Sequence, residues 1–180
     1  MRETTPIEIP EAKPAFEIIR GRLQQKMSPK RAHAQLQARW MEALRDWAGD
    51  RGDALPEWRF YFAPPGADWG SLVPDVGYLS RAVLDALTPE DAEEPPCAPG
   101  IAVDILSPDD RRRDVEWKIA AYLHGGTRLV VVSDARLRTV TAYDGGEPRV
   151  FKESDVFTHP ALPEFRLPLS ALFAGVFRGA

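Results

Sequence analysis

Two aspartates at strand ends and a lysine on the helix after the second carry the chemistry of this chain. Asp75 lies in Pro74-Asp75-Val76-Gly77-Tyr78, and Asp104 in Ile101-Ala102-Val103-Asp104-Ile105-Leu106-Ser107-Pro108. Lys118 sits in the helix-like segment 111–125. Two carboxylates and an ammonium group form a minimal set for binding a hard divalent cation and hydrolysing a phosphodiester. Mg²⁺ prefers oxygen ligands and commonly takes one or two carboxylates with water and substrate phosphate. It would polarise a phosphoryl oxygen and lower the pKa of a bound water, and Lys118 would orient that water or balance transition-state charge. The same residue types also suit a purely structural ion pair, because Pro-Asp before a strand is common turn chemistry.

The side-chain period of a strand puts Asp104 on one face with Ala102 and Leu106, and Val103 with Ile105 on the other. Neither face reads as solvated, so a charge at 104 needs a partner. Asp75 alternates onto the side of Gly77 and Leu79, where the glycine is expected to leave room for an ion or a backbone. On the helix, Val115, Ile119 and Tyr122 form an i, i+4, i+7 apolar stripe. Lys118 falls within it and must either snorkel outward or reach across the sheet to a carboxylate.

The elements that position these groups follow from pattern and punctuation. Residues 1–14, with Pro6, Pro10 and Pro14, read as an extended lead-in. Strands are expected at 16–20 and 23–27 around a turn at Gly21. Ser28 as N-cap and Pro29 at the first helical position open a helix, whose buried face is Leu36, Trp40, Leu44 and Trp47 and whose stop is Gly49. A strand is expected at 57–62 and a short helix around 81–87. The acidic, Pro-rich stretch 88–100 reads as a solvated loop. The second half reads as strand 101–106, helix 111–124, strands 128–133 and 139–143, then a loop and a short helix over 160–173. This order predicts one α/β domain over 1–180, with a central mixed sheet flanked by helices.

Composition narrows the field. At 180 residues the chain can build one well-formed core. Its net charge of −4, from 23 Lys and Arg against 27 Asp and Glu, excludes indiscriminate coating of DNA and requires any nucleic-acid contact to be local. A lone cysteine, Cys97, excludes an internal disulfide and a Cys-rich zinc site. No apolar h-region follows Met1 and no apolar run approaches the roughly 20 residues of a membrane span, so a cytoplasmic protein without membrane contact is expected. Gly-rich phosphate loops, Gly-x-Ser-x-Gly elbows and Cys-His pairings are absent.

The run Val103-Asp104-Ile105-Leu106-Ser107-Pro108, followed by Arg111-Arg112-Arg113-Asp114, Lys118, Tyr122 and Gly126, resembles the Uma2 family of the PD-(D/E)XK nuclease superfamily. Pro74-Asp75, the opening Phe16-Glu17-Ile18-Ile19-Arg20-Gly21 and the closing Leu162-Pro163-Glu164-Phe165 with Leu172-Phe173 extend the resemblance over residues 14–173. It implies a restriction-endonuclease-like fold and a Mg²⁺-dependent endonuclease acting on DNA, with Mn²⁺ as a substitute. Asp75 and Asp104 would be the metal-binding acids, the carbonyl of Ile105 a further ligand, and Lys118 the catalytic lysine. Two departures stand out: the family usually has glutamate where this chain has Asp104, and Leu106 replaces the lysine of the strand form of the motif. They keep open an alternative, a non-catalytic protein that uses the nuclease fold for binding or assembly. Cutting both strands of a duplex would call for a homodimer, though no segment marks an interface.

Other residues carry weaker signals. Glu17, in an apolar strand, reads as an edge-strand charge with a smaller claim to be a third carboxylate. His33 reads as a surface or structural histidine, His124 as a helix-end cation and His159 as a loop residue. Arg111-Arg112-Arg113 suits phosphate contact but is flanked by four acids, Asp109, Asp110, Asp114 and Glu116. Trp69 is a loop aromatic that core packing does not account for.

Overall fold

The apolar residues at 101–105 and the Leu-Val-Val-Val run at 129–132 create two largely buried strands at the centre of a computed structural model that describes residues 8–177. In chain order the strands are β1 (Phe16–Ile19), β2 (Arg22–Gln25), β3 (Gly52–Pro56), β4 (Phe60–Tyr61), β5 (Ser71–Leu72), β6 (Val76–Ser80), β7 (Ile101–Ile105), β8 (Leu129–Asp134), β9 (Thr139–Tyr143), β10 (Arg149–Lys152), β11 (Val156–His159) and β12 (Leu162–Pro168). The helices are α1 (Arg31–Ala48), α2 (Arg81–Leu84), α3 (Pro89–Glu93), α4 (Arg112–His124) and α5 (Leu169–Leu172).

Six strands form the central sheet in the order β10-β9-β8-β7-β6-β3. Only β7 and β8 run parallel, joined through α4, with Asp104 opposite Val132. This is the mixed α/β sheet that the sequence predicts. One face packs on α1: Leu36, Trp40, Leu44 and Ala48 meet Val76, Ile101, Val103, Ile105 and Val131. The other packs on α4: Ile119, Ala121 and Tyr122 meet Ala102, Val130 and Val132, with Leu106 and Val115 partly buried alongside. The two-residue period therefore sorts β7 as expected and turns Asp104 toward α4.

The β1–β2 hairpin turns through Arg20 and Gly21, both at positive φ (54° and 72°), the backbone that a two-residue turn between twisted strands requires. It lies against β5 and α4, which brings its side chains to the ends of β6 and β7. No helix among the described residues is long and apolar enough to cross a membrane.

Several elements differ from expectation. Helix α1 starts at Arg31, with Lys30 as N-cap and no side-chain cap, instead of at Ser28-Pro29. The strand expected over 57–62 shrinks to β4, and the edge strand beside β6 is β3, whose bounding Gly52 and Pro56 read as turn residues. Such residues are tolerated at an edge, where one side needs no ladder bonds. The 88–100 loop contains α3, capped by the Thr88 hydroxyl accepting from the Asp91 N–H. Strand β12 occupies a stretch expected to be loop, β10 and β11 lie where the pattern predicts no element, and the helix expected at 81–87 ends at Leu84. Residues 1–7 of the lead-in lie outside the described residues, and 8–14 form no helix or strand.

Candidate active site

Five elements deliver charged groups to one place. Asp75 immediately precedes β6, Asp104 and Ile105 close β7, Lys118 lies mid-way along α4, Glu17 comes from β1, and Lys26 follows β2. The first turn of α1 adds His33. All of them line a cavity of about 360 Å³. Asp75, Asp104 and Lys118, singled out by spacing, are thus brought together.

Asp75 is nearly fully buried and has no free oxygen. Its Oδ1 accepts from Lys26 Nζ at 2.8 Å, and its Oδ2 accepts from the Ile105 N–H at 2.7 Å. His33 Nε2 lies 3.1 Å from the same Oδ2. Burial by itself would raise this carboxyl, but Lys26 and His33 overcome it and hold it well below the usual carboxylate range. Burial pulls the other way on Lys26, yet Asp75 and Glu17 lift its ammonium above the ordinary lysine value. His33 is also raised, because the hydrogen bond and charge of Asp75 outweigh burial. Ile105 enters the site through its backbone, with its N–H fixing the Asp75 carboxylate.

Lys118 bridges the other two acids. Its Nζ is 3.1 Å from Asp104 Oδ2, 3.1 Å from Glu17 Oε1 and 3.2 Å from Glu17 Oε2. Glu17 Oε1 also accepts the Val73 N–H at 2.8 Å. The lysine reaches across the sheet instead of snorkelling, and despite burial Asp104 and Glu17 keep its ammonium protonated above the ordinary range. Asp104 shares that one cation with Glu17. Burial, reinforced by Asp75 and Glu17, therefore pushes its carboxyl up to about 6 in spite of Lys118. Three buried carboxylates face two ammonium groups.

These residues fit a hard cation by their chemistry: oxygen donors from two elements beside an accessible cavity. They do not build a cage, since no group of three or more His, Cys, Asp or Glu side chains is arranged to hold a metal among the described residues. A site completed by water and substrate oxygens is the form that Mg²⁺ takes most readily. At Asp75 such a cation would compete with Lys26.

Sequence reasoning underrated three members of the site. Glu17 is only 3 % exposed and central, not an edge-strand charge. His33 touches Asp75 instead of solvent, and Lys26 carried no recognisable signal. For Glu17 the signal was present: a carboxylate among Phe16, Ile18 and Ile19 must be paired if the strand is buried. Beyond the first contacts, Gln37, one turn after His33, donates to the Asp75 carbonyl at 3.0 Å and to Glu57 Oε1 at 2.9 Å.

Of the basic run, Arg111 lines the cavity, whereas Arg112 pairs with Glu116 at 2.7 Å and Arg113 lies 3.8 Å from Asp114. His159 is buried at the end of β11, its Nε2 3.2 Å from Asp144 Oδ2, and is not a loop residue. Trp69 stacks on Tyr61 with ring centroids 5.8 Å apart and remains 39 % exposed.

Comparison with known proteins bears on the family and the fold. The family described as "Uma2: Putative restriction endonuclease" matches residues 4–170. A solved structure titled as a "putative nuclease belonging to DUF820" from Anabaena variabilis ATCC 29413 superposes with a TM-score of 0.82 at 26% sequence identity, over 93% of this chain and 94% of that one. No curated protein matches the sequence.

Proposed function

The chain belongs to the Uma2 family, and from that premise we propose that it is a Mg²⁺-dependent endonuclease that hydrolyses phosphodiester bonds in DNA. The observation that carries this reading is the meeting of Asp75, Asp104 and Lys118 at one cavity, from three separate elements. Asp75 and Asp104 would hold the metal, with the Ile105 carbonyl as a further oxygen. When bound, Mg²⁺ supplies polarisation of the phosphoryl oxygen and a lowered pKa for its water; Mn²⁺ would serve in its place.

The remaining work falls to the chain's own groups. Lys118 is held protonated, so it acts as a fixed cation beside developing phosphoryl charge and not as a base. The Ile105 N–H and His33 hold the Asp75 carboxylate in one orientation. Such pre-positioning means that no reorganisation is needed as charge develops. Asp104, its carboxyl pushed up to about 6 by burial, would be an ionised oxygen ligand at neutral pH.

A second reading, a binding or assembly protein on the nuclease fold, is favoured by one observation: Lys26 already neutralises Asp75. Incubation of wild type and Asp104→Asn with plasmid DNA and with single-stranded circular DNA separates the two. Mg²⁺- or Mn²⁺-dependent cleavage that drops by about 100-fold or more in the variant is expected. Wild-type protein that leaves both DNAs intact with both metals would decide for the binding reading.

A further inference from the structure

The carboxylate-lined cavity is a poor host for a polyanion. Glu17, Asp75, Asp104, Asp109, Asp110 and Asp114 all border it, so a phosphate backbone entering there must be held from outside. A second cavity, about 580 Å³, opens beside it and shares His33, Leu106 and Ser107 with it. Its walls have the opposite character. Lys30, Arg31 and Arg136 are exposed cations on its rim, and Leu106, Pro108 and Ala135 give it an apolar lining. The ring of Phe177, 54 % exposed, also lines it.

The one carboxylate there, Asp134, is committed to its own turn: its Oδ1 accepts the N–H groups of Arg136 and Leu137 at 2.8 and 3.0 Å. Lys30 meets Asp109 at 3.5 Å, with both side chains more than half exposed. A pair of that kind is weak and exchanges readily for a phosphate.

We propose that this second cavity is a nucleotide subsite for single-stranded DNA, adjoining the phosphate presented to Asp75 and Asp104. Lys30, Arg31 and Arg136 contact backbone phosphates, and Phe177 stacks on an unpaired base. An exposed ring beside a cationic groove is the combination by which proteins hold single strands. A duplex covers both faces of each base and leaves Phe177 nothing to stack on. The assignment rests on the nuclease reading only for the role of the neighbouring phosphate.

The test is fluorescence anisotropy of a labelled oligothymidine of about 12 nucleotides, with full-length protein in EDTA so that nothing is cleaved. Saturable binding is expected, weakened about 10-fold by Phe177→Ala and restored by Phe177→Trp. Arg136→Ala should weaken binding and reduce the salt dependence by about 0.7 in log–log slope. A hairpin duplex should bind less well and be indifferent to Phe177→Ala. The subsite is overturned if wild type does not bind the oligonucleotide, if both alanine variants bind like wild type, or if duplex is preferred. Metal-dependent cleavage is scored separately: binding that responds to Phe177 and Arg136 without any cleavage sinks only the nuclease reading, and cleavage without that response sinks only the subsite.

Discussion

Asp104 and Asp75 respond to pH with opposite signs, although both are aspartates lining one cavity. Asp104 is raised to about 6 by burial, so the folded chain binds a proton that the unfolded chain releases near 4. The stability this group contributes is present below that value and is lost as pH rises through 6, by about 3 kcal/mol in all. Asp75 is lowered, so its contribution is present at neutral pH and is lost as pH falls below about 4. Urea unfolding at pH 4.5 and 7 should show wild type losing stability relative to Asp104→Asn on going to the higher pH; an unchanged difference would contradict the raised carboxyl. Lys118→Met tests the bridge from the other side. It leaves Glu17 and Asp104 buried without their shared cation, so a loss of about 3–5 kcal/mol is expected at pH 7, with a smaller loss near pH 5, where Asp104 takes up a proton. Asp75→Ala would likewise strand buried Lys26. For that reason Asp75→Asn, which preserves shape and an acceptor oxygen, is the cleaner probe of function.

At the scale of elements, β7 and β6 carry different constraints. The alternation of β7 gives Ile101, Val103 and Ile105 to α1 and Ala102 with Asp104 to α4, a division that needs no loop to enforce it. Next to it, Gly77 does not leave space for an ion as expected. A Cβ at that position would stand 2.6 Å from Cε2 of the buried Phe60 ring, so the space is already filled by side-chain packing. Gly77→Ala should therefore cost about 1–3 kcal/mol through overpacking, measurable as a fall in the urea midpoint without a change in slope. Helix α1 has a comparable double duty. Trp40 packs its core face and donates from Nε1 to Ser133 Oγ at 2.7 Å, while the first turn delivers His33 to Asp75.

For the whole molecule, the proposed cation binding would couple to proton release. Because Asp104 titrates near 6, Mn²⁺ bound at the acidic pair must displace its proton below that pH. Calorimetry should show affinity rising from pH 5 to 7, with a heat that follows the buffer's ionisation enthalpy at the lower pH. Asp75→Asn should bind at least about 10-fold more weakly. Binding that ignores pH, or survives Asp75→Asn unchanged, would place the cation elsewhere. A homodimer for cutting two strands stays a proposal of the same kind, to be read from sedimentation with and without DNA.

The pattern of residues by itself determined the α/β class and the faces of β7 and α4, and narrowed Lys118 to two alternatives, snorkelling outward or reaching a carboxylate, between which the structure decides for Asp104 and Glu17. Each of these depends on local periodicity: two residues per repeat in a strand, 3.6 in a helix, and a short crossover between parallel neighbours. The pairing of Asp75 with Lys26, 49 positions apart, and of Glu17 with Lys118, 101 positions apart, was decided by tertiary structure. Nothing local distinguishes a strand-end lysine that points to solvent from one that a hairpin folds over the end of a sheet, and the apolar neighbours of Glu17 call for a partner without naming it. The same holds for β3, whose Gly52 and Pro56 signal a turn until β6 supplies the ladder. It holds again for β10 to β12, short strands stabilised by the partners they find and not by their own composition.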